Sequence, residues 1–170
     1  LRSGRIIGAE ALVRWRHPEK GLLLPGRFIA LAEESGLVVE LGLWVLQSAA
    51  RQMRDWQRQG LPISHVAINV AGQQIWHPGF VAQFEQVLAQ TGLSPSALEV
   101  EITETLIMLD ADHQRTVAQL DALRQLGLTL AIDDFGTEHS SLSRLRDMPA
   151  EVLKIDRSFI DGLSSEPGDT

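Results

Sequence analysis

A chain of 170 residues, 44% apolar and 22% charged, has the composition of one globular domain, which excludes a disordered tail, a collagen-like fibre and a coiled-coil rod. It has no cysteine, so disulfides, thiolate metal sites and cysteine nucleophiles are excluded as well. The net charge of −7, from 22 acidic and 15 basic residues, lacks the basic footprint of a nucleic-acid binder, and neither DNA nor RNA is expected as a partner.

Residues 5–15 form a β-rich run without a helical stripe, broken by His17, Pro18 and Gly21. A long helix is expected next: Leu41, Trp44, Val45, Ala49, Met53 and Trp56 recur on one helical face, and Gly60 and Pro62 stop it. Residues 66–70 read as a short apolar strand. Pro78 opens a helix with the stripe Phe80, Phe84, Val87 and Leu88, and Gly92 is its C-terminal stop. Residues 98–103 alternate as a strand. Val117, Leu120, Leu123 and Arg124 mark a further helix ending at Gly127, and residues 128–132 and 151–155 are two more strands. No stretch approaches the roughly 18 uninterrupted apolar residues of a membrane span. Only residues 164–170 read as a loop.

Ile68, Ile102, Ile132 and Ile155 stand 34, 30 and 23 residues apart, which are lengths of βα units. Such a series predicts an α/β fold, a parallel sheet covered by helices. The open doubly wound sheet and the (β/α)8 TIM-type barrel are its two forms. No Gly-x-Gly-x-x-Gly turn follows a strand, which argues against a dinucleotide cofactor.

A parallel strand covered on both faces should be almost unbroken apolar sequence, because an unpaired buried carboxylate is costly. Each strand here breaks that pattern: Glu10 in the first, Asn69 in the second, Glu101 and then Glu104 in the third. Asp133 and Asp134 end the fourth, and Lys154 and Asp156 the fifth. Five in succession point to convergence, and in a barrel the C-terminal ends of the strands meet at one mouth. Glu10, Asn69, Glu101, Asp133 and Asp134 would offer oxygen ligands only, the donor set of Mg²⁺ or Mn²⁺. Adjacent side chains of a strand point to opposite faces, so both aspartates reach the mouth only if the chain bends at Asp134, just before Gly136. Lys154 adds a point charge for a phosphate or a water. Together these features describe phosphoester chemistry at a pair of ions.

Taken singly, Glu10 has a salt bridge to Arg14 as its alternative role and Asn69 a hydrogen-bonded turn, while Glu99 is expected to be a solvated strand position. His17, His65, His77, His113 and His139 lack zinc-site spacing. Trp44 and Trp56 are expected in the core. Trp15 and Trp76 stand near strand ends, where core packing is preferred over lining a ligand pocket. Ser140 and Ser141 have no nucleophile elbow around them and are expected to cap a helix.

The segment Gly8-Ala-Glu-Ala-Leu-Val-Arg-Trp15 resembles the signature of the EAL family of cyclic di-GMP phosphodiesterases, named for Glu10-Ala11-Leu12. The likeness continues in family order through residues 25–33, 68–70, 101–104, 132–137, 140–142 and 153–156, and so covers essentially the whole chain. It implies a modified (β/α)8 barrel, present here as an incomplete portion. It implies hydrolysis of cyclic di-GMP to linear pGpG with Mg²⁺ or Mn²⁺ in a two-metal site. Residue by residue, it implies Glu10, Asn69, Glu101 and Asp133 as metal ligands. Asp134 would serve the second metal and the attacking water, and Lys154 would contact this water and the phosphate. Arg14 would lie near the substrate phosphate, with Leu12 and Asp156 as further substrate-binding positions, and Glu104 would anchor the loop after the paired aspartates. The implied setting is cytoplasmic, even in a membrane-anchored parent protein, with a homodimer formed through the domain and a covalently linked sensory or GGDEF-type domain.

Three departures from the family pattern stand out. Glu138 and His139 replace the usual glycine and aromatic residue, and Ala71 replaces a serine. The family's later strands with Ala-Glu-Gly-Val-Glu and a glutamine-glycine pair do not occur, nor does its first strand with Gln-Pro. Against a barrel of typically about 250 residues, residues 1–170 are expected to be a partial EAL domain with cut ends at Leu1 and Thr170. Such a piece alone is expected to be inactive and to aggregate through its strand edges. The alternative to catalysis, motivated by Glu138 and His139, is a degenerate domain that binds cyclic di-GMP as a receptor or regulatory module.

Overall fold

The computed structural model of the chain describes residues 4–109, 112–136 and 142–158. Strand β1 (Gly8–Ala11) leads into an antiparallel hairpin of β2 (Trp15–His17) and β3 (Gly21–Leu23). The hairpin turns at the His17-Pro18 break, where His17 Nδ1 accepts the backbone N–H groups of Glu19 (3.1 Å) and Lys20 (3.2 Å). Helices α1 (Ile29–Glu34) and α2 (Val38–Arg58) follow, then β4 (His65–Asn69), α3 (Gly72–Ile75) and α4 (Phe80–Thr91). The chain continues through β5 (Leu98–Thr103), α5 (Glu104–Leu109), α6 (His113–Gln125), β6 (Thr129–Phe135), α7 (Leu142–Arg146) and β7 (Val152–Ile155).

The five strands β1-β4-β5-β6-β7 lie side by side in that order, and every pairing is parallel. Spatial order therefore follows chain order. A doubly wound sheet would reverse at a switch point; a sheet without reversal is a half-barrel, an incomplete (β/α)8 TIM-type barrel.

Period-two alternation divides the sheet into two faces. On the outer face, Val66, Ile68, Leu98, Val100, Ile102, Leu130 and Ile132 are all buried. They form one core with Leu46, Ala49, Ala50 and Met53 of α2, Phe80, Phe84 and Val87 of α4, and Leu120 and Leu123 of α6. Helix α4 stops where expected: Gly92 takes a left-handed φ of 66° and returns its N–H to Leu88 O at 2.8 Å. Helix α6 starts at Asp112, whose side chain accepts the Arg115 N–H.

Two expectations about burial are corrected. Trp44 is 55% exposed rather than in the core, because α2 turns Leu46, Ala49, Ala50 and Met53 inward and leaves Trp44 off that stripe. Trp56 does pack against the core. Glu99 is buried, not solvated. It stands on the inner face of β5, where His65 Nε2 lies 4.0 Å from Glu99 Oε2. Gly8 makes room for that imidazole, since a β-carbon there would meet the His65 ring. A barrel packs its inner face too, so strict alternation in residues 98–103 does not mean one wet side. Short helices α1, α3, α5 and α7 and the β2–β3 hairpin carry too few residues for a periodic signal. Among the described residues, no helix is long and apolar enough to cross a membrane.

Candidate functional site

Register on the inner face assembles the site. Glu10 pairs with Ala67, Asn69 with Glu101, Glu101 with Ala131, and Thr103 with Asp133. Partners in register project from the same face, so Glu10, Asn69, Glu101 and Asp133 converge, and the small side chains of Ala67 and Ala131 leave them space. One carboxylate oxygen each of Glu10, Glu101 and Asp133 lie within 4.8 Å of one another. Asn69 Nδ2 donates to Glu10 Oε1 at 2.8 Å. Lys154 Nζ donates to Glu101 Oε1 at 2.6 Å and lies 3.6 Å from Asp133 Oδ2.

Neither bland alternative holds for the first two strands. Asn69 belongs to the strand and serves Glu10, and among the described residues no ion pair joins Glu10 to Arg14.

Three carboxylates and one lysine leave the cluster short of positive charge. Burial pushes the Glu101 pKa up to about 7; the Lys154 hydrogen bond and charge pull it down, and the neighbouring charges of Glu10 and Asp133 add to the rise. Partial burial opposes the Lys154 charge, but the Glu101 hydrogen bond and the charges of Glu101, Asp133 and Glu10 together outweigh it and hold its pKa above the ordinary value. Glu101 is 1% exposed, and its second oxygen, Oε2, has no hydrogen-bond partner. An orphaned buried carboxylate oxygen among converging oxygen donors fits a hard divalent cation.

The bend required after Asp133 is present. Asp134 has a φ of 54°, a left-handed conformation unusual for a residue other than glycine, and the pairing of β6 with β7 shifts register between Ile132 and Phe135. Burial raises the Asp134 pKa, and Asp133 and Asp156 raise it further, so Asp134 lies within electrostatic reach of the cluster. Glu104, fully buried at the start of α5, accepts the Gly136 N–H at 2.7 Å and ties down the chain just past the bend. Asp156 accepts the Ser158 N–H at 2.8 Å, and hydrogen bonds from Ser158 lower its pKa. Glu138, His139, Ser140 and Ser141 lie outside the described residues.

A cleft of about 820 Å³ opens beside the carboxylates; Glu10, Leu12, Asn69, Gln73, Trp76 and Leu106 are among its walls. Gln74 is another of its walls, buried and accepting the Ala71 N–H at 3.0 Å. Gly42 of α2 makes room for Gln74, because a β-carbon at that position would run into its amide. Arg14 is not gathered with the carboxylates: its Nη1 donates to Val13 O at 2.8 Å, and it lines a separate cavity of about 500 Å³ with Trp15 and Trp44. Core packing is thus corrected for both strand-end tryptophans. Trp15 is 41% and Trp76 37% exposed, and each lines a cavity. Gln73 and Gln74 had no signal in the sequence as wall residues, because α3 is a single turn; for Trp76 the signal was its place near a strand end.

The family model described as "EAL domain" matches residues 1–170. The bifunctional diguanylate cyclase/cyclic di-GMP phosphodiesterase MucR of Pseudomonas aeruginosa is 44% identical over 167 residues, 98% of this chain and 24% of MucR. The cyclic di-GMP phosphodiesterase NbdA of the same organism is 44% identical over 160 residues, 94% of this chain and 20% of NbdA. Among solved structures, the PaMucR phosphodiesterase in complex with c-di-GMP superposes with a TM-score of 0.86 at 45% identity, over 96% of this chain and 65% of that one. The EAL enzyme Bd1971, bound to cAMP and cyclic di-GMP, gives 0.83 at 34% identity, over 96% of this chain and 45% of that one. The chain spans about a quarter or less of the length of these two curated relatives.

Proposed function

Since the chain belongs to the EAL domain family, we propose that residues 1–170 are part of a domain that hydrolyses cyclic di-GMP to linear pGpG with Mg²⁺ or Mn²⁺. The observation that carries this reading is the convergence of Glu10, Glu101 and Asp133 within 4.8 Å, with Lys154 on one Glu101 oxygen and the other left without a partner. MucR and NbdA, which bear the phosphodiesterase name, support it.

Glu10, Asn69, Glu101 and Asp133 would hold the ions, with Asp134 serving a second one. When bound, divalent cations there supply Lewis-acid charge and acidify water enough for attack near neutral pH. Asp134, turned by the left-handed bend, would accept a proton from the attacking water. Lys154, anchored on Glu101, keeps a positive charge beside the phosphorus as negative charge develops. The new bond forms between the water oxygen and phosphorus, the bond from phosphorus to the 3′-oxygen breaks, and the leaving oxygen takes a proton to become a hydroxyl. Glu104 preserves the bend through Gly136. Leu12 and Asp156 bind substrate, and Arg14 swings from its Val13 contact to meet a phosphate. The domain works in the cytoplasm as a homodimer, linked to a sensory or GGDEF-type domain, as the two activities in the name of MucR suggest.

The test is direct. Full-length protein carrying this chain is incubated with cyclic di-GMP and Mn²⁺, and products are separated by chromatography. The expected product is pGpG, abolished by chelation. Tight binding without any product would leave a receptor instead of an enzyme, and no binding would end both readings.

A further inference from the structure

We infer that Trp76 is a stacking platform for a nucleobase of the bound dinucleotide, and so a specificity-determining residue of the cleft. This rests on the reading of the site as one for cyclic di-GMP. Of the residues assigned to the ions, only Glu10 and Asn69 line the cleft of about 820 Å³; its other walls are left to meet the part of the substrate that does not react. Trp76 lines that same cleft and is 37% exposed, a large apolar surface left open to solvent in a site-facing position.

The indole is held rather than loose. Its Nε1–H donates to Thr116 Oγ1 at 3.1 Å, and Thr116 of α6 is fully buried. The backbone oxygen of Trp76 accepts from Arg115 Nη2 at 2.6 Å. Gly72, one turn earlier, lets the ring lie close to α3: a β-carbon there would stand 3.3 Å from Trp76 Cη2 and 3.4 Å from Cζ2. The one polar group of the side chain is therefore engaged with α6, and what Trp76 offers a ligand is π surface. A ring already fixed costs little further entropy on binding. Thr105 brings a hydroxyl to the same cleft, and Gln73, whose Nε2 donates to Glu33 O at 2.8 Å, brings its amide oxygen. Base stacking on an aromatic side chain is worth roughly 1–3 kcal/mol by alanine substitution.

The experiment compares wild type, Trp76→Ala and Trp76→Phe in the full-length protein with cyclic di-GMP. For Trp76→Ala the expected result is a KM raised about ten- to hundredfold with kcat within about twofold, since stacking holds the base equally in the ground and transition states. Trp76→Phe keeps a stacking face and should stay near the wild-type KM. With turnover stopped by chelator, ligand binding should quench tryptophan fluorescence in the wild type but not in Trp76→Phe, which retains Trp15, Trp44 and Trp56. If Trp76 merely braces α3 on α6, both variants lose thermal stability, ligand quenches neither protein, and the inference is overturned. An unchanged KM in Trp76→Ala also overturns it, while leaving the phosphodiesterase reading intact. A wild type that neither binds nor cleaves cyclic di-GMP defeats that reading, and the platform with it.

Discussion

On the outer face of the sheet, Ile68, Val100, Ile102 and Ile132 meet helix side chains, and every group is apolar and closed off from water. On the inner face, one residue away along the same strands, Asn69, Glu101 and Asp133 crowd charge and amide groups into a space with too few partners. The outer face gains free energy by burial. The inner face spends some of it, holding Glu101 largely desolvated and Asp134 in a left-handed conformation. Strands so regular on one side can carry an unfavourable arrangement on the other because each backbone hydrogen bond serves both. Stability and chemistry are separated by side-chain direction, not by distance along the chain.

This contrast can be broken from either side. Glu101→Gln removes a charged ligand and the ionic part of the Lys154 contact while keeping the side-chain shape. Activity on cyclic di-GMP should fall at least about 10²–10³-fold, while the thermal midpoint of the metal-free protein does not drop. A large loss of stability with it would mean the inner face also holds the fold together. Phe84→Ala, on the helix that covers the outer face, should do the reverse. The stability loss, read from the urea midpoint, is expected at about 3–5 kcal/mol, with kcat little changed in the fraction still folded.

The pH dependence separates the faces more finely. Glu101 has a folded pKa of about 7 against an ordinary 4.5, so between those values the folded chain holds a proton that the unfolded chain has released. For this group, stability is highest below the unfolded value, falls as pH rises through the interval, and levels off above about 7. Metal-free protein should therefore show a falling contribution from pH 4.5 to about 7 that Glu101→Gln removes. Mg²⁺ or Mn²⁺ should raise the thermal midpoint more at the alkaline end, where the carboxylates are charged. The smallest effect belongs to neither face. Asp121→Ala breaks an exposed pair with Arg124, 3.1 Å apart on α6, and should change stability by less than about 0.5 kcal/mol and activity not at all.

Most of the site was legible as a violation of pattern. Glu10, Asn69, Glu101, Asp133 and Lys154 stand out because an apolar strand has no local use for them, and the bend at Asp134 follows from needing two neighbouring aspartates on one side. What misled was the same regularity. Glu99 alternates like a surface residue yet is buried beside His65, because a barrel has an inside. Trp44 falls on an apolar helical stripe wider than the core it meets, and ends exposed. Arg14 lies four residues after Glu10, but its side chain turns to Val13 instead of the carboxylates.

From the amino-acid order alone came the βα rhythm, the helix stops at Gly60 and Gly92, and the oxygen donors at the strand ends. These depend on periodicity and local backbone preference, which neighbouring residues set. Tertiary structure decided the choice of a barrel-type strand order over a reversed one, the pairing of Lys154 with Glu101, the orphaned Glu101 oxygen and the placement of Trp76 on the cleft. Those depend on register between strands and on which groups meet across 30 or more intervening residues. No local propensity encodes such contacts; only packing the sheet beneath its helices brings them into existence.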